Sequence, residues 1–448
     1  MPRLTPTQWD QVERAVQSSR LRRRHGLPKR SSKSVLIATF NIRKLGSADD
    51  RAAGHRKGRT PGAWHLLALA CSPFDLIAVQ EVQDELAGLR RLQHELKTRH
   101  RRTMKLLISD ITGSQPGGSG MTERMAFLYD PRKIEHTELS SEITVDRAQV
   151  VHNLFDRRQE FARFFEAHAQ ALATWEKRVE VARREEKRRP SKPALKLPAF
   201  VTFIRAPHEG SFRIRPVEDA DPLDFIVVNA HLLYGEHEDE RLQEFLELVK
   251  WLTLRAKYAD RLYAPNLLLL GDCNLETNNL VEAAATENPP AEATASAHAF
   301  LEWKIKSLNE RELKSRSGAD ANFPLLDDHP VQGPLRTNAR QSQTYDQIGL
   351  FCRDPRLPRH AENRSVSGAD DRYDYGVFRF TDLLAEVLEP NAWKDAKQKQ
   401  GNAAGSPFEH LEKAVRDRVI GWVGTDVSDH LPAWIRLQRP GIAQKEPA

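Results

Sequence analysis

The sequence has 448 residues, of which 40% are hydrophobic and 29% charged, enough for one large domain or two ordinary ones. The formal net charge of +6 suits a polyanionic partner without requiring one. Membrane-spanning apolar runs are absent, and the opening Met-Pro-Arg-Leu-Thr-Pro predicts no secretory signal.

Cysteine usage favours a reducing compartment. Cys71, Cys273 and Cys352 are far apart in sequence and do not have the spacing of a metal site. An odd and sparse set of this kind is typical of a cytoplasmic protein rather than a disulfide-bonded secreted domain.

The chain begins with a lead segment, residues 1–33, that contains a basic run from Arg20 to Lys33. We expect a solvated basic arm, with a nucleic-acid contact as the alternative. Apolar patterning then predicts strands at 35–43, 75–82, 105–109, 123–129, 199–205, 224–231, 267–270, 344–351 and 427–435. Helices are predicted at 61–71, 84–97, 240–251, 380–387 and 408–419.

Three stretches have the composition of insertions: residues 146–197, 281–330 and 353–423. In the first, apolar residues recur at roughly heptad spacing with charges between them, which predicts one or two long helices projecting from the domain. Two interpretations stay open for these helices, an insertion that only packs on the domain and an arm that grips a substrate or partner.

Polar side chains collect at the ends of the predicted strands. Asp272 and Asn274 follow an apolar run and, being two residues apart, point the same way on continuing strand geometry. Glu81 closes another apolar strand, where an unpaired charge would be costly. The full set is Asn41, Glu81, Glu123, His231, Asp272, Asn274, Asp346, Asp429 and His430. Carboxylates for a divalent metal, imidazoles for proton transfer and amides for phosphate oxygens are what phosphodiester hydrolysis needs.

Seven short motifs resemble, in sequence and in order, the endonuclease/exonuclease/phosphatase superfamily, most closely its deoxyribonuclease I-like branch. They are Ala38–Arg43, Asp75–Val82, Thr122–Phe127, Val228–His231, Leu270–Asn274, Tyr345–Ile348 and Ser428–Pro432. The resemblance implies an α/β (α+β) fold, a four-layer sandwich of two mixed β-sheets with outer helices. The domain would span residues 34–437, with the three insertions, and a tail would follow at 438–448.

The resemblance also implies roles for the residues. Glu81 would be the main ligand of Mg²⁺ or Mn²⁺, with Asn41 and Asp429 beside it. Asp272 and Asn274 would hold the phosphate or orient the attacking water. His231 and His430 would flank the scissile phosphate, oriented by Glu123 and Asp346 respectively.

Two positions depart from the deoxyribonuclease I-like pattern. Gln83 stands where that branch has an arginine that enters the minor groove, and Met121 where it has a groove-stacking tyrosine. The resemblance therefore supports the chemistry more than the double-helix grip, and it leaves endo- and exonuclease action, and DNA and RNA, unresolved.

The sequence predicts a metal-dependent phosphodiester hydrolase acting on nucleic acid, with DNA first. One alternative is a phosphatase or phospholipase of the same superfamily, acting on inositol phosphate or sphingomyelin. Against it, Tyr345–Ile348 lacks the tryptophan- and cysteine-bearing form found in inositol phosphatases, and no aromatic hairpin for lipid insertion is evident, so no membrane partner is expected. The other alternative is an inactive nucleic-acid-binding scaffold, which the complete set of acids and histidines disfavours.

Overall fold

The computed structural model describes residues 4–50, 58–114, 122–193, 195, 197, 200–234, 238–258, 263–275, 290–294, 297–313, 318–358, 373–387 and 413–442. The strands are β1 (Ser34–Leu45), β2 (Leu76–Val82), β3 (Lys105–Ile108), β4 (Arg124–Tyr129), β5 (Ile134–Glu142), β6 (His208–Ile214), β7 (Leu223–His231), β8 (Leu267–Asp272), β9 (Asp320–Asn322), β10 (Asp346–Cys352), β11 (Tyr373–Val377) and β12 (Ala433–Gln438). The helices are α1 (Pro6–Ala15), α2 (Ser19–Arg24), α3 (Pro61–Cys71), α4 (Ala87–His100), α5 (Arg147–Asp156), α6 (Arg158–Arg184), α7 (Glu238–Lys257), α8 (Ala297–Leu308), α9 (Phe380–Val387) and α10 (Lys413–Asp426).

The strands form two six-stranded sheets. The first has the order β11-β12-β1-β2-β4-β3 and the second β5-β6-β7-β8-β10-β9. Each sheet contains one parallel pair, β1 with β2 and β7 with β8, among antiparallel neighbours. The predicted architecture of two mixed sheets is therefore confirmed.

Alternation along the strands produces the layers. Leu268 and Leu270 of β8 belong to the core that the two sheets enclose, together with Phe40 of β1. Leu267 and Leu269, on the other face of β8, pack in a second core with residues of α7 and α8. Because successive side chains of a strand point to opposite faces, β8 is buried on both sides, as its uninterrupted leucines predicted.

A buried polar contact fixes how the sheets lie on each other. Gln80 of β2 donates from Nε2 to Asn229 Oδ1 of β7 at 2.7 Å. Asn229 Nδ2 in turn donates to the carbonyls of Val79 and Ala126 in the first sheet. An unpaired buried amide is costly, so these contacts favour one relative position of the sheets.

The lead segment is packed on the domain, so the prediction of a solvated arm is wrong. Thr5 and Gln8 form a capping box at the start of α1, whose Val12 is fully buried. Trp9 stacks on His65 of α3 with ring centroids 3.9 Å apart. Trp434 of β12 donates from Nε1 to the carbonyl of Gly26. Burial of the apolar side chains of α1 stabilises the packed position more than hydration of the basic run stabilises a free arm.

Parts of two predicted insertions belong to the fold. β9 pairs with β10, and β11 pairs with β12, so each closes an edge of a sheet. Phe300 of α8 and Phe380 of α9 are fully buried. The rest of these two stretches lies largely outside the described residues.

The strand predicted at 199–205 is wrong, because residues 200–207 are irregular and the strand begins at His208. Within the stretch 146–197, residues 147–156 and 158–184 form α5 and α6, in line with the one or two long helices that the sequence predicted. Among the described helices, none is long and apolar enough to cross a membrane.

Candidate active site

The strand-end residues come together in one cleft. The two parallel pairs run so that their carboxyl ends meet. Asn41, where the regular pairing of β1 with β2 ends, donates from Nδ2 to Asp272 Oδ2 at the end of β8 at 2.8 Å. The cleft has a volume of about 850 Å³. Seven predicted residues line it: Glu81, Glu123, His231, Asp272, Asn274, Asp429 and His430. Asn41 and Asp346 lie behind this lining and are hydrogen-bonded to it.

The two histidines face each other across one carboxylate. His231 Nδ1 lies 2.6 Å from Glu123 Oε1, and His430 Nδ1 lies 2.8 Å from Asp346 Oδ2. Because an ionised carboxylate can only accept, each ring donates from Nδ1 and directs Nε2 the other way. The Nε2 atoms of His231 and His430 lie 3.6 Å and 3.4 Å from the same Oδ2 of Asp272.

The charges of this cluster favour protonated imidazoles around ionised Asp272. Burial lowers the pKa of His231 and so does Arg205, but the carboxylates of Glu123 and Asp272 outweigh them and the pKa is raised. Burial likewise opposes protonation of His430, yet Asp346 and Asp272 hold its pKa well above the ordinary value. For Asp272, burial alone would raise the pKa, and the two histidines lower it.

The turn after β8 is shaped by its small residues. A Cβ on Gly271 would lie 2.1 Å from the carbonyl oxygen of Ala230, so the close approach of β7 and β8 requires glycine here. Asn274 has a φ of 50°, a left-handed conformation that asparagine tolerates better than most residues. Its backbone N–H donates to Asp272 Oδ1 at 3.0 Å, and its Nδ2 donates to the carbonyl of Leu232. These contacts hold the aspartate and asparagine at the cleft.

Glu81 has a φ of 59°, at a point where β2 is irregularly paired with β1. Glu81 Oε2 accepts from the N–H of Lys44 at 3.0 Å, and Oε1 accepts from Asn41 Nδ2 at 3.2 Å. Asn41 Oδ1 and Asp429 Oδ1 are buried without a hydrogen-bond partner among the described residues. The orphaned oxygen of Asn41, which contacts Glu81, and that of Asp429, in the same cleft, fit a hard cation such as Mg²⁺.

The candidate metal site is not formed by His, Cys, Asp and Glu side chains alone. Within the described ranges, no group of three or more such residues is placed to hold a metal ion. The predicted set includes an asparagine, and Arg43 Nη1 lies 3.7 Å from Asp429 Oδ2. A cation here would therefore depend on the Asn41 oxygen and on displacement of Arg43.

Two residues of the site escaped the sequence analysis. Arg205 donates from Nη1 to the carbonyls of His231 and Leu232, and its Nε lies 3.4 Å from Glu123 Oε2. Glu244 of α7 accepts from the N–H groups of Ile204 and Leu233, and burial raises its pKa. Both support the chain around His231. Glu244 belongs to an amphipathic helix rich in glutamate, so nothing in its spacing distinguished it.

Comparison by sequence finds no protein-family model and no curated protein that match this chain. Solved structures do match it. An endonuclease/exonuclease/phosphatase family protein from Bacteroides thetaiotaomicron is 12% identical, with 93% of this chain and 98% of that chain covered and a TM-score of 0.41. A mannosyl-6-phosphatase from the same organism is 12% identical, with coverages of 90% and 98% and a TM-score of 0.40. The human Nocturnin catalytic domain is 12% identical, with coverages of 91% and 95% and a TM-score of 0.38.

Proposed function

We propose that this protein is a hydrolase of the endonuclease/exonuclease/phosphatase superfamily that cleaves phosphodiester bonds of nucleic acid with the help of a divalent cation. The observation that carries the proposal is the pair of histidines whose Nε2 atoms lie 3.6 Å and 3.4 Å from one buried oxygen of Asp272. Two imidazoles directed at one point, each with its own carboxylate, supply an acid and a base for the same reaction centre.

The chain's own residues account for the proton transfers. In hydrolysis, a water oxygen bonds to phosphorus, the bond from phosphorus to the leaving oxygen breaks, and one proton moves on each side. One imidazole, in its neutral form, takes the proton of the water at Nε2, and the other, in its protonated form, gives a proton to the leaving oxygen. Glu123 and Asp346 keep Nδ1 occupied, so that Nε2 is the nitrogen that exchanges protons. Asp272 and Asn274 hold the phosphate or orient the water.

Glu81, Asn41 and Asp429 are the residues that would hold Mg²⁺ or Mn²⁺. When bound, the cation offsets the charge of the phosphate oxygens and of the leaving oxygen. The buried oxygens of Asn41 and Asp429 that have no hydrogen-bond partner among the described residues support this assignment. The glutamate at the end of β2 supplies the negative charge that a hard cation requires.

A polynucleotide is the proposed substrate class. Arg43, Lys44 and Arg340 line the cleft, and so does Tyr234, whose side chain is largely exposed. Cations and an exposed ring together suit phosphates and an unstacked base. Gln83 also lines the cleft and provides no charge for a duplex groove, while Met121 lies outside the described residues. We propose DNA as the first substrate, with single strands and RNA as close competitors.

The test is a hydrolysis assay on supercoiled plasmid, single-stranded DNA, RNA and inositol phosphates, each with Mg²⁺, with Mn²⁺ and with excess chelator. Asp272→Asn is the control for contaminating nuclease, because it keeps the shape of the side chain and removes the shared charge. We expect metal-dependent cleavage of at least one polynucleotide that this variant lacks. Cleavage of inositol phosphate alone would replace the proposal by a phosphatase. Binding of nucleic acid without turnover would replace it by a scaffold, and full activity in chelator would exclude the metal.

A further inference from the structure

The two helices α5 and α6 are attached at the same end of the molecule as the cleft. Glu142 at the end of β5 pairs with His208 at the start of β6, and His208 pairs with Asn229 of β7, two residues before His231. The N–H of Ile143 donates to the carbonyl of Pro207 at 2.8 Å and closes the base of the excursion. We call residues 146–192 the helical arm, and its base therefore lies beside the catalytic side chains.

The helical arm is long and mostly solvated. α6 has 27 residues and is about 40 Å long. Its buried residues are Phe161 and Ala182, and α5 has none. An arm with so little buried surface contributes little to the stability of the core. Its composition should therefore reflect what it contacts rather than how it packs.

Positive charge is concentrated at one end of the helical arm. Residues 146–174 have four basic and four acidic side chains and are neutral. Residues 175–192, which we call the basic segment, have eight Lys and Arg against four Glu. The net positive charge of the helical arm thus lies entirely in its last 18 residues. Such a local concentration indicates an anionic partner at this segment, whereas charges that serve only to keep a helix solvated would be spread along it.

The basic segment has a defined shape. Trp175 Nε1 donates to the carbonyl of Pro190 at 3.0 Å, so the chain after α6 folds back along the helix. Arg189 and Lys192 lie over the Trp175 ring, 5.1 Å and 5.8 Å from its centroid. The basic side chains are thereby gathered on a short, ordered unit.

Only part of this charge is compensated within the segment. Arg184 pairs with Glu180, and Lys187 pairs with Glu185. Six other exposed cations have no ion pair in the described part of the chain: Arg189 and Lys192, which lie over Trp175, and Lys177, Arg178, Arg183 and Arg188. Lys177, Arg178, Lys187 and Arg188 line a groove of about 350 Å³, together with Glu185, the partner of Lys187. Four cations against one carboxylate leave an excess of positive charge in this groove, which an anionic ligand would offset.

We propose that the basic segment is a second binding surface for a polynucleotide, which holds the phosphate backbone of a strand whose scissile phosphodiester lies in the cleft. The partner is a nucleic acid because the arm begins beside the cleft, and one extended polyanion can occupy both. The inference rests on the proposed function for the site of cleavage, but backbone binding by the basic segment is measurable without it.

The test variant replaces the four uncompensated cations that do not lie over Trp175: Lys177→Gln, Arg178→Gln, Arg183→Gln and Arg188→Gln. The matched control removes the same charge from exposed cations near the opposite end of the first sheet: Lys29→Gln, Lys97→Gln, Arg101→Gln and Lys105→Gln. Both variants are first compared with the parent protein by circular dichroism and thermal unfolding. If the fourfold variant does not fold, Arg183→Gln and Arg188→Gln are measured singly.

Binding is measured by fluorescence anisotropy with a labelled 30-nucleotide single strand in chelator, from 50 to 200 mM salt. Each phosphate contact that is lost should reduce the slope of log K against log salt by about 0.7. We expect the arm variant to lose at least about one unit of slope and to bind at least about tenfold more weakly at 50 mM salt. The control should keep the parent slope. Hydrolysis of bis(4-nitrophenyl) phosphate, which fills only the cleft, should be equal in all three proteins.

Other results would overturn the proposal. Equal loss of slope in both variants would mean that only net charge matters. Unchanged oligonucleotide binding, with loss of binding to phosphatidylserine vesicles in the arm variant, would assign the segment to a membrane surface. Hydrolysis of polynucleotide with an unchanged slope would overturn this inference alone. A reduced slope in a protein that hydrolyses none of the substrates would overturn the proposed function alone.

Discussion

The two carboxylates that orient the histidines are not equivalent, so their removal should have unequal effects. Glu123 shares its charge, because Oε1 lies 2.6 Å from His231 while Oε2 lies 3.4 Å from Arg205 Nε. Asp346 binds His430 through Oδ2, and its Oδ1 is buried with no hydrogen-bond partner in the described structure. Burial and the nearby Asp272 raise the pKa of Asp346, but no second cation among the described residues competes with His430 for its charge. We predict that Asp346→Asn lowers activity more than Glu123→Gln.

The magnitudes follow from the roles. Loss of a general acid or base costs about 10²–10⁴ in rate, which is about 3–5 kcal/mol of transition-state stabilisation. Loss of a group that only orients an imidazole costs about 10–100-fold. We expect the rate to fall about tenfold in Glu123→Gln and about a hundredfold in Asp346→Asn. His231→Ala should be slower than Glu123→Gln, and His430→Ala should be slower than Asp346→Asn. The double histidine variant should be far less than additive, since both rings serve one phosphate.

The assay is kcat/KM on one oligonucleotide at saturating metal, with urea unfolding of each variant as the control for stability. Asp346→Asn places a new buried amide, so about 1–3 kcal/mol of lost stability is expected and is separable from the rate. Equal rates for the two amide variants would refute the argument from charge sharing. Additive losses in the double histidine variant would refute a common phosphate.

Three further predictions concern the metal, acid stability and the sheet interface. Glu81→Gln should abolish hydrolysis, because it removes a negative charge that the cation needs. The thermal unfolding curve of the metal-free protein should stay within a few degrees of the parent. Undiminished turnover would contradict the metal assignment. His329 Nδ1 accepts from the N–H groups of Val331 and Gln332, and burial lowers its pKa from 6.5 to about 4. As the pH falls, the unfolded state therefore binds a proton at His329 before the folded state does. On the order of 3 kcal/mol of stability should be lost between about pH 6.5 and about pH 4. Urea unfolding should show a smaller loss over this pH range in His329→Gln. Gln80→Leu should lower the free energy of unfolding by about 1–3 kcal/mol, measured in urea, because it leaves Asn229 Oδ1 without its donor.

Much of the fold was predictable wherever the local sequence pattern and the packing of the folded protein favour the same structure. The helix at Pro61–Cys71 has the predicted bounds, because Thr60 caps it, proline opens it and apolar residues fill it. The strand at Leu267–Asp272 needed both faces buried, and four consecutive leucines can be accommodated in few other ways. The strand-end residues could be collected in advance because carboxyl ends of parallel strands meet at one edge of a sheet.

The remaining features depend on tertiary context. β6 contains His208, Glu209 and Gly210 and has little strand propensity of its own, and it is a strand because β5 and β7 pair with it on both sides. The apolar residues just before it, such as Phe203, are instead used to pack an irregular segment into the second core. Arg205 was invisible for the same reason, since its importance comes from carbonyls that follow it by more than twenty residues.

The site is assembled from both sheets at once, and this explains the polar contact between them. Glu123 precedes β4 of the first sheet and binds His231 of the second, whereas Asp346 begins β10 of the second and binds His430 ahead of β12 of the first. Each imidazole is therefore oriented only while the two sheets are docked in one position. An apolar interface tolerates small displacements, but a buried amide pair such as the one formed by Gln80 does not, because a shift leaves it unpaired. The buried polar contact between the sheets makes the core less apolar. By fixing the position of the sheets, it holds His231 and His430 within reach of one oxygen of Asp272.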